Sequence, residues 1–271
     1  MKSFPKAVKR PDKFTTTPAT QIWYESPSKQ NPYLAEDTRC YGYSILELAD
    51  QCSFTQMLFL LLTGELPSAE EEKLLNTFLV GFANPGPRQP ATRAAMYAGV
   101  GKTDPSHILP ISFAIASGEF GGGKEVELAM RFLRKNARKK PQDIAKSIIE
   151  NNLAPHEGDW HPVPGFGSKY GDIDIMAQKL AKLLVSRSGS GKILAWGEAF
   201  ASELKHANIG WLMSGIAAAT FADLGFPPRA AAGLFQIACA PGLLAHGVEM
   251  ANKPVTAMPF VEESDYVIEN I

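Results

Sequence analysis

Two imidazoles and two carboxylates fall within six residues, His156-Glu157-Gly158-Asp159-Trp160-His161. Such a cluster can hold zinc or move protons as acid and base, although its spacing matches no zinc pattern. A solvated loop would look the same. Gly121-Gly122-Gly123 stands where a helix begins. Small residues there bare backbone N–H groups and let an anion approach, though a simple tight turn would use them too. Arg131, Arg134, Lys135, Arg138, Lys139 and Lys140 crowd the end of the same helix. Cations are favoured at a helix C-terminus, and the cluster could also receive a polyanion such as the nucleotide of coenzyme A. Two lysines imitate phosphate loops and fail. Gly101-Lys102-Thr103 has Met96 where the Walker spacing needs glycine, and Ile193 follows Lys192 in Ser188-Gly189-Ser190-Gly191-Lys192. His107, His206 and His246 stand alone and read as structural.

Composition narrows the field. The 271 residues carry 27 Lys and Arg against 28 Asp and Glu, a net charge of −1, which disfavours non-specific nucleic-acid binding. At 45% apolar and 20% charged the chain is globular rather than disordered. Its length lets it bury roughly 70–75% of its unfolded surface without disulfides or metal. The apolar runs fall short of the ~20 residues that span a bilayer, so no membrane partner is expected. Cys40, Cys52 and Cys239 are odd in number and form no C-x-x-C pair, which reads as a reducing cytoplasm. The lysines of the first thirteen residues lack a following apolar region, so no secretory signal is read there.

The elements that must carry these groups are helical. Ile45, Leu48, Ala49 and Cys52 repeat on one helix face, and Gln56–Thr63 is apolar enough to be buried on all sides. Ser68 and Glu71 form a capping box ahead of Leu74, Leu75, Phe78, Leu79 and Phe82. Asn84-Pro85-Gly86-Pro87 breaks that helix. Further helices are expected over 91–99, 106–117, 124–139, 143–151, 175–185, 195–204, 210–224 and 229–252, the last with Pro241 inside it. Residues 153–173 read as a loop. No alternating strand pattern or internal repeat stands out, so the fold class is all-α.

Several segments, taken in order, resemble the citrate synthase superfamily, especially its short citryl-CoA lyase branch, the C-terminal module of ATP-citrate lyase. Tyr41-Gly42-Tyr43-Ser44-Ile45-Leu46-Glu47-Leu48-Ala49 is similar to Y-R-G-Y-x-I-x-x-L-A, and Ser53-Phe54-Thr55 through Leu60-Leu61-Leu62-Thr63-Gly64-Glu65-Leu66-Pro67 continues it. Phe120-Gly121-Gly122 resembles the glycine pair before the small domain, Pro164-Gly165-Phe166-Gly167 the P-G-F-G-H loop, and Ala245-His246 with Glu249 the A-H-x-x-E of the long C-terminal helix. The resemblance covers about residues 36 to 260. It implies a large helical domain, 36–121 plus 208–271, a smaller inserted helical domain, 122–207, and an N-terminal arm, 1–35. It implies a homodimer or tetramer, expected to form through apolar helices including Gly210–Leu224. It also implies a CoA thioester, bound as substrate or ligand in an interdomain cleft, and no metal.

The chain departs from that family where its chemistry is done. The histidine some members carry before the glycine pair is Phe120, and that of the lyase branch aligns with Pro85 or its neighbours. The P-G-F-G-H histidine is Ser168, the N-V-D aspartate is Gly210, the F-x-x-x-R arginine is Cys239, and the D-P-R arginine has no match near Asp174. A pocket of Pro85, Phe120, Gly210 and Cys239 is therefore expected, unsuited to a tricarboxylate whose charge would be desolvated without cations. Ordinary citrate synthase or citryl-CoA lyase turnover is not expected. Candidate substitutes for catalysis are His161, His156, Asp159 and Ser168. Candidate contacts to CoA are Gly121, Gly122, Gly123, Gly165, Phe166, Gly167, Ser168, Arg131 and Lys135. The alternatives are a non-catalytic homologue that binds acyl-CoA or regulates an active paralogue, and an ordinary citrate synthase whose residues align differently.

Overall fold

A computed structural model describes residues 17, 19–151 and 159–269. The chain divides into two compact units, Met1–Leu66 and Pro67–Ile271. In the first, strands β1 (Trp23–Pro27), β2 (Ala35–Cys40) and β3 (Tyr43–Ser44) form an antiparallel sheet, with Trp23 opposite Cys40 and Arg39 opposite Ser44. Helices α1 (Ile45–Gln51) and α2 (Phe54–Thr63) follow. Cys40, Leu48 and Leu60 form the core of this unit. Ser53 and Gln56 close a capping box on α2. Gly64 ends that helix at φ +84°, with the Tyr41 ring 3.3 Å from where a Cβ would sit. The expectation that Gln56–Thr63 is buried all round does not hold, because Leu61 is exposed, as is Phe54 in the helix's first turn.

The second unit holds α3 (Ala69–Phe82), α4 (Pro90–Val100), α5 (Ile108–Ala116), α6 (Gly123–Asn136), α7 (Pro141–Asn151), α8 (Ile175–Val185), α9 (Lys192–Leu204), α10 (Met213–Asp223) and α11 (Ala231–Ala251). The Ser68–Glu71 capping box starts α3 as its sequence dictates. Helix α11 packs on α3, α4, α5 and α6. Its contact with α4 is close because both sides are glycine: a Cβ on Gly99 would collide with the Gly247 carbonyl. Pro241 lies inside α11, and the Gly242 N–H donates instead to the Ala83 carbonyl, 2.7 Å away, tying α11 to the end of α3. The helical stretch Pro228–Ala251 is 24 residues long and contains an 18-residue window with a mean hydropathy of 1.4, so one helix does reach membrane-spanning length and apolarity, contrary to the sequence expectation. Its packing against α3, α4, α5, α6 and α10 is that of a core helix.

Two features depart further from the sequence expectations. Residues 160–168 and 210–211 are not all loop and helix. β4 (Trp160–Val163), β5 (Phe166–Ser168) and β6 (Gly210–Trp211) form a small antiparallel sheet, with Phe166 opposite Trp211 and Gly167 opposite Gly210. The sheet is seated by aromatic packing, Phe166 lying 4.5 Å from Trp211 and 4.9 Å from Phe200 between ring centroids. Helix α10, expected at a subunit interface, is instead enclosed: Ser214 through Phe221 are all buried. Its small residues admit α6 and α9 of the same chain, and its C-terminal Asp223 accepts hydrogen bonds from the N–H groups of Gly191, Ile193 and Leu194 at the start of α9.

Candidate active site

A cavity of about 510 Å³ opens within the second unit. Its walls come from the end of α3, the 84–89 turn, the start of α4, the residues before α6, the 159–174 segment, and α10 and α11. Each element arrives for a local reason. Pro85 and Pro87 cannot continue α3, and the Gln89 side chain accepts the N–H groups of Ala91 and Thr92, so α4 begins at the cavity wall. On the other side the Gly165 turn returns β4 into β5 at φ +85°. A Cβ on Gly165 would strike Gly215 of α10 and Ala129 of α6.

The chemical centre is a buried pair. His161 Nδ1 lies 2.8 Å from Glu125 Oε1, with the two side chains 8% and 3% exposed. Glu125 also accepts the N–H of Gly165 through Oε1 at 3.1 Å, and through Oε2 the N–H of Gly121 at 2.7 Å and the hydroxyl of Ser214 at 2.9 Å. Burial pushes this carboxyl upward. The hydrogen bond and charge of His161, with the two backbone N–H groups, outweigh it and hold the group below the ordinary glutamate range. An ionised Glu125 orients a proton onto His161 Nδ1 and leaves Nε2 as the nitrogen with chemistry to do. Phe120 stands edge-on to the imidazole, ring centroids 5.0 Å apart.

His161, Asp159, Phe120, Gly121, Pro85 and Cys239 line the cavity. Other candidates from the sequence lie elsewhere. His156 is outside the described residues. Ser168 is buried in β5 and absent from the lining, which its neighbours Lys169 and Tyr170 join. Gly165, Phe166 and Gly167 are buried with it and build the sheet. The Gly165 N–H goes to Glu125, so the loop does not present a row of free donors to a pyrophosphate. Gly121 faces the carboxylate of its own chain, while Gly122 and Gly123 pack against Gly118 and Ala232. Gly210 is enclosed in β6, where a Cβ would come within 2.7 Å of Ile173, so it does not line the cavity. Arg131 and Lys135 are exposed on α6 away from the cavity, and Arg131 pairs with Glu127 at 2.7 Å. Lys102 of the false phosphate loop donates to the carbonyls of Ala251 and Lys253, a structural tie. Among the described residues no group of three His, Cys, Asp or Glu side chains could hold a metal ion.

The expectation of a cavity without cations is overturned. Arg88 and Arg93 line it, as does Lys169, which lies 3.4 Å from Asp174. Neither arginine has an ion-pair partner among the described residues. Opposite them in character are Phe82, Leu212, Met213, Phe235 and Cys239. Burial pushes the Cys239 thiol up to about 12, so it is an inert apolar group rather than a nucleophile.

No protein-family model and no curated protein matches the sequence. Solved structures do. The citryl-CoA lyase of Hydrogenobacter thermophilus superposes with a TM-score of 0.73 at 25% identity, over 93% of this chain and 94% of that one. The chain belongs to the citrate synthase superfamily. The superfamily fold recurs at lower identity in two further structures. The ATP citrate lyase of Methanothrix soehngenii, solved with citrate and coenzyme A, gives a TM-score of 0.70 at 16% identity, over 95% of this chain and 44% of that one. The citrate synthase of Thermoplasma acidophilum, solved with carboxymethyl coenzyme A and oxaloacetate, gives 0.60 at 18% identity, over 81% and 58%. This member of the superfamily thus pairs an inherited helical frame with a Glu125–His161 dyad at its cavity.

Proposed function

We propose that the protein makes or breaks a carbon–carbon bond beside a CoA thioester in this cavity, with His161 as the group that moves the proton and a substrate other than citrate. The observation that carries this is the Glu125–His161 pair at the wall of a cation-bordered cavity. A histidine fixed through Nδ1 by a buried carboxylate is positioned for acid–base work through Nε2, and a nearby cation such as Lys169 can meet an oxyanion. The citryl-CoA lyase neighbour supports the choice of a CoA ester. Arg131 and Lys135, exposed on α6 outside the cavity, are the proposed contacts for the phosphates of CoA, with Arg131 exchanging its Glu127 partner for a phosphate. Calorimetry with acetyl-CoA tests the binding. Arg131→Glu combined with Lys135→Glu should weaken it at least tenfold and flatten its salt dependence. Absence of heat with CoA, acetyl-CoA and longer esters would reject the proposal.

The second reading, a non-catalytic acyl-CoA-binding subunit, rests on Gly210 standing where the family aspartate is expected. It requires that His161 be dispensable for all turnover.

The protein is proposed to be a homodimer or tetramer. With α10 enclosed, the support shifts to exposed apolar residues on α5 and α11: Ile111, Ile115, Ile237, Leu244 and Val248. Sedimentation at micromolar concentration should give a dimer or larger, which Ile115→Lys with Val248→Lys should dissociate. A monomeric wild type would contradict this.

A further inference from the structure

Helix α10 reaches the Glu125–His161 pair twice through its first turn. Ser214 is fully buried and absent from the cavity lining, and its hydroxyl stands 2.9 Å from Glu125 Oε2. An ionised carboxylate only accepts, so this hydroxyl donates. The next residue, Gly215, carries no side chain, and a Cβ there would collide with the Gly165 carbonyl. The Gly165 turn therefore closes in on α10. Its carbonyl accepts the Leu212 N–H at 3.0 Å, and its N–H donates to Glu125 Oε1 at 3.1 Å. The terminal torsion of a glutamate is soft, so a carboxylate held through one oxygen swings about its stem. Here both oxygens are held from α10, Oε2 by Ser214 directly and Oε1 through Gly165. The other donor to Oε2, the Gly121 N–H, comes from an exposed residue ahead of α6.

We infer that Ser214 is a positioning residue for the proton transfer: through Glu125 it holds His161 with a proton on Nδ1 and Nε2 left for the substrate. This rests on the acid–base role proposed above for His161, and it adds a residue that lies outside the cavity lining. The hydroxyl works as a donor rather than as a filler of space. Hydrogen bonds to an ionised acceptor are about twice as strong as neutral ones, so one hydroxyl has a large hold on this carboxylate. Without it Oε2 keeps only the Gly121 N–H, and the carboxylate plane is free to turn. The imidazole then loses the fixed acceptor that selects its tautomer.

Proton–nitrogen NMR of the intact, histidine-labelled protein without ligand tests this, the His161 signal being assigned by its loss in His161→Asn. Wild type should show one tautomer, with a slowly exchanging proton on Nδ1. Ser214→Ala should exchange that proton faster and bring up the signal of the Nε2–H tautomer. Ser214→Cys keeps the shape of serine but donates weakly, so it should behave as Ser214→Ala does. It carries the test alone if the alanine variant does not fold. Ser214→Thr keeps the hydroxyl and should restore the wild-type signal. Ser214→Ala and Ser214→Cys should also slow deuterium uptake from D₂O by acetyl-CoA about tenfold, the order expected for one hydrogen bond to a charged group, with acetyl-CoA affinity unchanged. A wild-type imidazole signal in Ser214→Cys would mean that Ser214 only fills space and would overturn the inference, as would an unchanged signal in Ser214→Ala. The two proposals fail separately. A tautomer that depends on Ser214, with no deuterium uptake by acetyl-CoA in wild type, supports the positioning and rejects the thioester chemistry. Uptake that depends on His161 but not on Ser214 supports the chemistry and overturns the positioning.

Discussion

Replacing His161 with asparagine should lower turnover by about 10²–10⁴ while leaving CoA-ester affinity within a few-fold, the loss typical of removing one general acid or base. The effect belongs to kcat because the imidazole lines the reaction cavity, whereas the proposed phosphate contacts lie on α6. Asparagine can still offer an amide N–H to Glu125, so the buried carboxylate keeps a partner and the fold is spared. His161→Gln provides a second side chain of similar reach. Rates read from free-thiol release, with melting temperatures alongside, check the prediction. Turnover unchanged in both variants would remove His161 from the chemistry.

Replacing Glu125 with leucine should destabilise the protein by about 3–5 kcal/mol, the range for breaking a buried charged network from one side. Glu125 is nearly inaccessible and accepts from His161, Gly121, Gly165 and Ser214. Leucine would leave the His161, Gly165 and Ser214 groups buried without it. Glu125→Gln is milder, because one of its amide atoms still accepts. It should act through His161, shifting the pH profile of kcat with little change in affinity, and Glu125→Asp should recover part of the loss. The same carboxylate sets a pH dependence. Its native pKa is depressed, so the stability it confers is present above the ordinary glutamate value of about 4.3 and is lost as pH falls through the lower native value. Wild type should therefore lose stability more steeply than Glu125→Gln across that acid interval, measured by denaturant unfolding at several pH values.

The helices were largely legible because their apolar faces repeat at helical spacing and their caps are written locally, as at Ser68 and Glu71. The short strands were not. Trp160–Val163 and Phe166–Ser168 span four and three residues, too few to show alternation, and the prolines and glycines around them read as loop. What makes them strands is tertiary, the aromatic seat of Phe200 and Trp211. Glu125 passed as one of many acids in a charged helix, although its spacing held a signal. It precedes Ala129 and Leu133 by four and eight residues, on the buried face, where an acid needs partners. Arg88 was hidden in a Pro/Gly-rich break read only as a helix terminator. Position by position the family's cations are missing, whereas Arg88, Arg93 and Lys169 reach one cavity only through the tertiary fold.

The central claim is that this cavity moves a proton at the α-carbon of a CoA thioester through His161. Wild type and His161→Asn protein, each mixed with acetyl-CoA in D₂O, can be followed by mass spectrometry of the thioester. The account predicts deuterium at the α-carbon with wild type and at least a hundredfold slower incorporation with the variant. No incorporation with wild type, or equal incorporation with both, would contradict it.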